Sequence, residues 1–161
     1  MLRDGEEFEI ASDGQRWAAS WHPGPVPPEG RRHGATGICL TEAGGIVVIS
    51  EDGMTWNFPG GRPEGEETWE QTLGREILEE ACAVIEDARL LGFSRSRCVE
   101  GREQGLVLVR SVWLAQVRLL EWKPQFEVPF RRVVPLVDAI TEVSPTERAI
   151  WLRVFADAKL Q

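Results

Sequence analysis

Three glutamates of one segment, Glu76, Glu79 and Glu80, share one face if the segment is helical. Like charges at that spacing destabilise a helix, and the macrodipole disfavours anions near the C-terminal end. A helix that carries both penalties is typical of a site that binds a cation. Carboxylate oxygens are the ligands that a hard divalent cation such as Mg²⁺ prefers. The spacing therefore predicts a metal site, and the alternative is an acidic helix face that meets only water.

The residues around these glutamates predict the elements that must position them. Met54–Phe58 is predicted to be a short strand that Pro59 ends. Gly60 and Gly61 follow, and glycine permits positive φ and a close approach of the backbone to a bound group. We therefore expect the loop at Gly60 and Gly61 to lie near the metal or the substrate.

A helix is predicted directly after this loop. Thr68 followed by Gln71 forms a capping-box pattern, which is typical of a helix start. Trp69, Leu73 and Ile77 recur at helical spacing and are expected to face a core. The opposite face then presents the acidic residues.

The segment from Gly61 to Ala83 also resembles the Nudix box, G-x5-E-x7-R-E-U-x-E-E-x-G-U, in which U is an aliphatic residue. The matching positions are Gly61, Glu67, Arg75-Glu76-Ile77 and Glu79-Glu80. Cys82 stands where glycine is usual and Ala83 where a larger aliphatic residue is usual. Neither departure affects a carboxylate, and so many fixed spacings make the match specific.

The resemblance to Nudix hydrolases implies a divalent-metal-dependent hydrolase. It implies cleavage of the pyrophosphate linkage of a nucleoside diphosphate joined to another moiety, in a nucleotide or a nucleotide derivative. By the same resemblance Glu76, Glu79 and Glu80 bind Mg²⁺ or Mn²⁺, while Glu67 pairs with Arg75 in a structural role. The alternative is a catalytically weak or inactive Nudix-like module that binds a nucleotide or a protein, and the Cys82 departure keeps it open because glycine there normally closes the helix.

The general base is expected in the loop before Arg132–Leu136, which resembles a final strand pattern of the family with valine in place of tryptophan. Glu127 lies just upstream and is ranked first. Its competitors are Glu121, Glu103 and Glu100. The candidate catalytic residues are therefore Glu127, Glu76 and Arg75.

Candidate substrate contacts are Gly60, Gly61 and Trp56. A tryptophan can stack on a base, as Trp17 and Trp21 also can, although a tryptophan beside a strand is more often core. The chain contains no tyrosine, so it lacks the tyrosine that marks the diadenosine-polyphosphate subgroup. The motifs of the ADP-ribose and NADH subgroups are missing as well, and the substrate subclass stays open.

Composition narrows the classes of partner. The chain has 161 residues, 42% of them hydrophobic, with 26 acidic and 18 basic residues and a net charge of -8. Nucleic-acid polymers and anionic membranes require basic surface, so neither is an expected partner. The start lacks an apolar signal core, and Cys39, Cys82 and Cys98 form no metal or disulfide pattern. We therefore expect a cytoplasmic protein that binds a small nucleotide diphosphate derivative.

The chain divides into an N-terminal extension over 1–33 and a Nudix hydrolase domain over 34–161. The extension is predicted to hold a β-hairpin, with strands at Glu6–Ile10 and Gln15–Trp21, and then a proline-rich linker. The linker is a candidate dimer arm, so a homodimer is possible, or a candidate part of the substrate pocket.

The remaining elements predict the fold class. Strands are expected at Thr36–Leu40, Ile46–Ser50, Ala88–Phe93, Gly105–Val117 and Arg132–Val137. A second helix is expected to begin at Ser144, with Ser144 as its cap and Glu147 at the capping-box position. Strands with two helices indicate an α+β protein, and the resemblance implies a Nudix-like α/β/α sandwich with a mixed β-sheet.

Overall fold

The computed structural model describes residues 1–123 and 128–160. The strands within them are β1 (Phe8–Ser12), β2 (Gln15–Pro23), β3 (Arg31–Leu40), β4 (Ile46–Ser50), β5 (Gly60–Gly61), β6 (Ala83–Glu100), β7 (Val107–Leu119) and β8 (Phe130–Val134). The α-helices are α1 (Trp69–Ala81), α2 (Ala139–Glu142) and α3 (Arg148–Asp157), and 3-10 turns span Leu136–Asp138 and Pro145–Glu147. None of the helices in these residues is long and apolar enough to span a bilayer.

The strands of the described residues join in one mixed sheet. Its order is β1-β2-β6-β7-β3-β4-β8, and the short β5 pairs with β3. The pair β3 and β7 is parallel, and the pairs β1–β2, β2–β6, β6–β7, β3–β4 and β4–β8 are antiparallel. The long β6 and β7, neighbours in the middle of the sheet order, have two irregularities in their pairing, at which β-strands typically bend.

Helices cover both faces of this sheet, because neighbouring residues of the central strands point to opposite sides. Helix α1 buries Leu73 and Ile77 in a core on one face. Helix α3 buries Trp151 and Phe155, among others, in a separate core on the other face, which also contains Trp21. The predicted α+β sandwich with a mixed sheet is confirmed.

The predicted N-terminal hairpin is confirmed as well. Asp13 and Gly14 both have positive φ, which a two-residue hairpin turn requires. Strand β2 pairs with β6, so the hairpin extends the main sheet. The predicted linker shortens to residues 24–30, because both of its ends belong to strands. The division of the chain at residue 33 stays a prediction.

Helix α1 begins and ends as its sequence dictates. The Thr68 hydroxyl accepts from the Gln71 N–H while the Gln71 side chain accepts from the Thr68 N–H, so the capping box is present. At the other end Cys82 adopts the left-handed conformation, with φ 48° and ψ 52°. The helix therefore closes as it would with glycine, at the modest cost of left-handed backbone in a non-glycine residue. The departure from glycine at Cys82 therefore leaves the usual left-handed helix end in place.

Other element predictions were wrong in detail. The predicted strand Met54–Phe58 does not form, because neighbouring peptides bond to different partners: Asn57 pairs with Ile49, while the Trp56 carbonyl accepts from the Ser144 N–H. Strand β6 begins directly after α1 rather than at residue 88. The Ser144 side chain makes no capping hydrogen bond, because a 3-10 turn separates it from α3.

Candidate active site

The acidic face of α1 is organised around Arg75. Its guanidinium donates to Glu67 at 2.8 Å, and one of its nitrogens donates to both Glu76 at 2.8 Å and Glu79 at 3.1 Å. The same guanidinium reaches the Arg62 carbonyl at 2.8 Å. The crowding of Glu76 and Glu79 is thus relieved by an internal cation.

Glu67 connects the loop before α1 to the helix. Its carboxylate accepts from Arg75, from the Thr72 hydroxyl at 3.1 Å and from the Glu64 N–H at 2.7 Å. The Arg75 guanidinium, with the Glu64 N–H next, holds the pKa of Glu67 at about 2. The predicted pairing of Glu67 with Arg75 is therefore present, and it favours a structural role for both.

Glu80 has a different environment from the other acids of α1. One of its oxygens accepts from the Gly60 N–H at 2.8 Å. Burial raises the pKa of Glu80 to about 7, against the lowering effect of that N–H. Burial also raises the pKa of Glu76, opposed by Arg75. These two carboxylates consequently favour a positive partner.

Gly60 and Gly61 are required for close packing rather than for an unusual φ. Neither has a positive φ, and both lie in β5 beside β3. A Cβ on Gly60 would lie 2.3 Å from the Ala35 carbonyl oxygen. A Cβ on Gly61 would lie 2.3 Å from the carboxyl carbon of Glu76. The two glycines thus let the loop contact both the sheet and the acidic helix.

The acids of α1 are suitable metal ligands, but their carboxylates do not point to a common metal position. In residues 1–123 and 128–160, no three Asp, Glu, His or Cys side chains gather closely enough to hold a metal ion. Glu76 and Glu79 each give an oxygen to Arg75, and Glu80 gives one to Gly60. Each carboxylate retains a second oxygen, and an all-oxygen donor set suits Mg²⁺ or Mn²⁺.

A cavity of about 630 Å³ opens beside Glu80 and Gly60, which both line it. Its other polar lining includes Gln15, His33, Thr36, Glu51, Asn57, Arg62, Ser94, Ser96, Glu103, Arg110, Ser144, Thr146 and Glu147. Its aromatic lining is Trp17, Phe58 and Trp151. A volume of this size fits a nucleotide-sized ligand.

Two arginines and a neutral histidine contribute to this cavity. The Arg110 guanidinium, on β7, donates to the Thr36 hydroxyl at 3.2 Å. Burial lowers the pKa of Arg110, and Glu147 and Glu80 oppose that effect. Burial, with Arg110 and Arg62 nearby, lowers the pKa of His33 to about 4, so His33 is uncharged at neutral pH. The cavity thus places cationic groups near Glu80, as an anionic substrate requires.

Sequence reasoning missed most of these lining residues. Arg110 did carry a signal, because it interrupts the apolar run Leu106–Val109 of a strand. Thr36 and His33, both on β3, and Glu147, in the turn before α3, carried none, since only the folded sheet brings them to the same cavity as Glu80.

Two predicted site residues lie apart from the cavity or outside the described residues. Trp56 is not among the described residues that line the cavity, and its ring lies against the Arg132 guanidinium, 4.3 Å from the ring centroid. Glu127 lies outside the described residues, so its role as general base stays a prediction.

The structure distinguishes the other candidates for the general base by their position relative to the cavity. Glu103 lines the cavity, and its carboxylate accepts from the buried Gln15 at 2.9 Å. Glu100 pairs with Arg16 on the surface, and Glu121 is exposed. Neither of these two lines the described cavity.

Comparison with known proteins gives the family. The sequence profile described as the NUDIX domain matches residues 31–154. This chain belongs to the Nudix family. The predicted family and enzyme class, a Nudix hydrolase acting on phosphoric anhydrides, are confirmed. No individually curated protein sequence matches the chain.

Solved structures of this family share the fold of the chain. A point mutant of the Bacillus subtilis pyrophosphohydrolase BsRppH is 19% identical, with a TM-score of 0.71 over 95% of both chains. A Nudix hydrolase from Nitrosomonas europaea is 16% identical, with a TM-score of 0.62 over 81% of this chain and 89% of that one. The Nudix domain of Shewanella oneidensis NrtR, complexed with ADP ribose, is 16% identical, with a TM-score of 0.58 over 82% of this chain and 88% of that one.

Proposed function

We propose that this Nudix hydrolase cleaves the pyrophosphate linkage of a nucleoside diphosphate derivative, with a divalent metal, in the cavity beside Glu80. One observation carries the proposal: the last acid of the Nudix box faces the same cavity as Arg62 and Arg110. A pyrophosphate is anionic, so its hydrolysis requires cationic groups on one side and a metal-binding carboxylate on the other.

Glu76, Glu79 and Glu80 are the residues that would hold Mg²⁺ or Mn²⁺. A bound divalent cation neutralises phosphate oxygens and makes water more acidic. Burial disfavours the charged form of Glu80, and a cation offsets that penalty. The proposed metal site is thus supported by oxygen donors that are costly to charge in its absence.

The remaining lining residues would bind and orient the substrate. Arg110, fixed by Thr36, presents a guanidinium to phosphate oxygens, and Arg62 adds a second positive charge. The uncharged His33 can donate or accept a hydrogen bond beside them. Gly60 fixes Glu80 through its N–H, so the loop sets the position of the metal-binding acid.

The general base is proposed to be Glu127, with Glu103 as the competitor that lines the cavity. A positioned carboxylate that takes the proton of the attacking water typically contributes about 10²- to 10⁴-fold in rate. Arg75, by contrast, has its donors occupied by Glu67, Glu76 and Glu79, and we propose that it positions those acids.

The proposed ligand is a small nucleotide derivative, as for the NrtR domain that was solved with ADP ribose. Cytoplasmic location is proposed as well, since all three cysteines are free and buried. Homodimerisation, and the lack of nucleic-acid and membrane partners, stay predictions from the sequence.

The experiment is a substrate panel with controlled metal. Purified protein is incubated with nucleoside triphosphates, dinucleotides, ADP-ribose and nucleotide sugars, in Mg²⁺, Mn²⁺ or EDTA, and products are separated by chromatography. We expect cleavage at a pyrophosphate linkage of at least one compound, with either metal and not with EDTA. Binding of nucleotides without cleavage of any panel member would instead support the binding module.

A further inference from the structure

Glu147 is a half-buried acid of the cavity that the proposed chemistry does not use. It ends the 3-10 turn before α3 and lines the cavity. Burial raises the pKa of Glu147, and the nearby charge that opposes this effect is Arg110. Among the described residues, no ion pair or hydrogen bond of its carboxyl group is observed. Because a partly buried carboxyl without protein partners gains by accepting hydrogen bonds, it favours a ligand that donates them.

Aromatic surfaces lie in the same cavity as this carboxyl. Trp151 lies in the first turn of α3, four residues after Glu147, and both residues line the cavity. Phe58 supports Trp151 edge-on, with ring centroids 4.9 Å apart. Both rings line the cavity. A flat apolar surface beside an unpaired acceptor is what a heteroaromatic ring with N–H donors requires.

The N-terminal hairpin supplies the facing wall. Trp17, on β2, lines the cavity and pairs across the strands with Ile10, which lines it too. Strand β1 packs against the 3-10 turn that carries Glu147. The hairpin precedes residue 31, where the match to the family begins. This wall is therefore a feature of this chain that the family pattern does not specify.

Arg110 connects this part of the cavity to the acidic helix. Arg110, Glu80 and Glu147 all line this cavity, and both acids are near enough to Arg110 to oppose the lowering of its pKa by burial. A nucleotide whose phosphates contact Arg110 near Glu80 can therefore extend its base toward Glu147.

We propose that Glu147, Trp151 and Trp17 form a nucleobase subsite that selects a purine with two adjacent N–H donors, as guanine has at N1 and its exocyclic amine. The subsite deepens the proposed function and rests on it, because it assumes a nucleotide in the cavity. An ionised carboxylate offers two acceptors and fits those two donors, and the Arg110 guanidinium and the donors of the ligand favour that form against the effect of burial. Adenine presents one donor beside one acceptor at the corresponding edge and leaves a carboxylate oxygen unpaired.

The test measures the binding of three mononucleotides by calorimetry, without any need for turnover. GMP has both donors, IMP lacks the exocyclic amine and AMP lacks the N1–H. We expect the wild-type protein to bind GMP about tenfold more tightly than IMP, and AMP more weakly still, since each hydrogen bond to a charged group contributes about that factor. Equal affinities for the three, or no measurable binding of any, would overturn the proposal.

Two variants locate the selectivity. The Glu147→Gln variant replaces the carboxylate by an amide, which has one acceptor and one donor. Its affinity for GMP should fall about tenfold, while its affinity for AMP should stay the same or rise. The control Glu70→Gln removes the same charge from an exposed acid outside the cavity and should leave the ratio of the affinities unchanged. Trp17→Leu should lower the affinities for all three nucleotides by about the same factor, because stacking does not distinguish bases by their edges.

The outcomes separate this proposal from the proposed function. Loss of affinity for all three nucleotides by the same factor in Glu147→Gln would show a general electrostatic effect and reject the subsite. Selective GMP binding with no hydrolysis on the substrate panel would keep the subsite and reject the activity. Hydrolysis with no selectivity for the base would do the reverse.

Discussion

At the scale of single residues, the three acids of α1 have different roles. Glu76 and Glu79 both accept a hydrogen bond from the same nitrogen of Arg75, whereas Glu80 accepts one from a backbone N–H and lines the cavity. Glu80 is therefore the acid whose charge is most costly when no cation is bound. The lone backbone donor of Gly60 offsets only part of that cost.

The first prediction is a pH dependence of stability in the presence of a chelator. The pKa of Glu80 rises from 4.5 to about 7 on folding, so between these values the folded state retains a proton that the unfolded state has released. The free energy of unfolding should therefore fall by about 3 kcal/mol as pH rises from below 4.5 through 7, and then level off. Urea denaturation at several pH values in EDTA measures this fall.

Glu80→Gln cannot ionise and should lose most of that fall. The control Glu70→Gln changes an exposed acid of the first turn of the same helix and should retain it. An identical pH profile for wild type and Glu80→Gln would show that Glu80 is not the group responsible.

At the scale of elements, the glycine strand β5 joins the acidic helix to the sheet. Gly60 approaches the backbone of β3, and Gly61 approaches the carboxylate of Glu76. A backbone neighbour cannot move aside without shifting a strand, whereas the end of a glutamate can swing away. The two glycines should consequently differ in how they respond to an added methyl group.

The second prediction compares Gly60→Ala with Gly61→Ala. Gly60→Ala should lower the free energy of unfolding by about 1–3 kcal/mol, because its Cβ meets the Ala35 carbonyl. Gly61→Ala should lower stability less but reduce turnover, because it displaces Glu76. Denaturation curves and rates on the best substrate measure the two effects, and equal loss of stability in both variants would contradict the contrast.

The third prediction is that Gly74→Ala raises stability, and this variant is the control for the two destabilising glycine variants. Gly74 lies within α1, and a Cβ there meets no heavy atom within 4 Å. The variant should raise the free energy of unfolding by about 1 kcal/mol through helix propensity alone. A loss of stability in this variant would mean that the position contacts something.

The sequence predicted α1 in detail because every signal was local. The capping box, the apolar spacing of Leu73 and Ile77 and the spacing of the acids all lie within one segment. The strand predicted at Met54–Phe58 failed for the opposite reason, since the backbone bonds of Trp56 and Asn57 go to distant partners. Local pattern does not identify partners that are far apart in sequence.

At the scale of the whole molecule, the N-terminal hairpin completes both the sheet and the cavity. Trp21 of β2 is fully buried in the core beneath α3, and its indole N–H donates to Asp157 at 2.8 Å. Residues before the family match thus hold the last helix in place.

The fourth prediction tests that role with Trp21→Ala. Removing a fully buried tryptophan should lower the free energy of unfolding by about 3–5 kcal/mol. Met54→Ala is the control, because Met54 is 84% exposed and should change stability by less than about 0.5 kcal/mol. A mild effect in Trp21→Ala would show that the hairpin is dispensable to the core.

The arrangement of the whole molecule explains which parts of the site the sequence alone did not reveal. The acids and Arg75 were found because they share a helix, but the cavity gathers Trp17, Thr36, Arg110 and Glu147 from four separate elements. Their proximity depends on the parallel pairing of β3 with β7 and on the hairpin beside β6. No local sequence pattern predicts either of these strand pairings.

Turnover by Glu80→Gln tests the central claim, that the last acid of the box binds the catalytic metal in the cavity, most directly. Rates on the best substrate of the panel are measured over a range of Mg²⁺ concentrations for the wild type, Glu80→Gln and the control Glu70→Gln. We expect Glu80→Gln to lose about 10²-fold or more in kcat/KM while remaining folded, and Glu70→Gln to keep wild-type turnover. Wild-type turnover by Glu80→Gln with an unchanged Mg²⁺ dependence would contradict the claim.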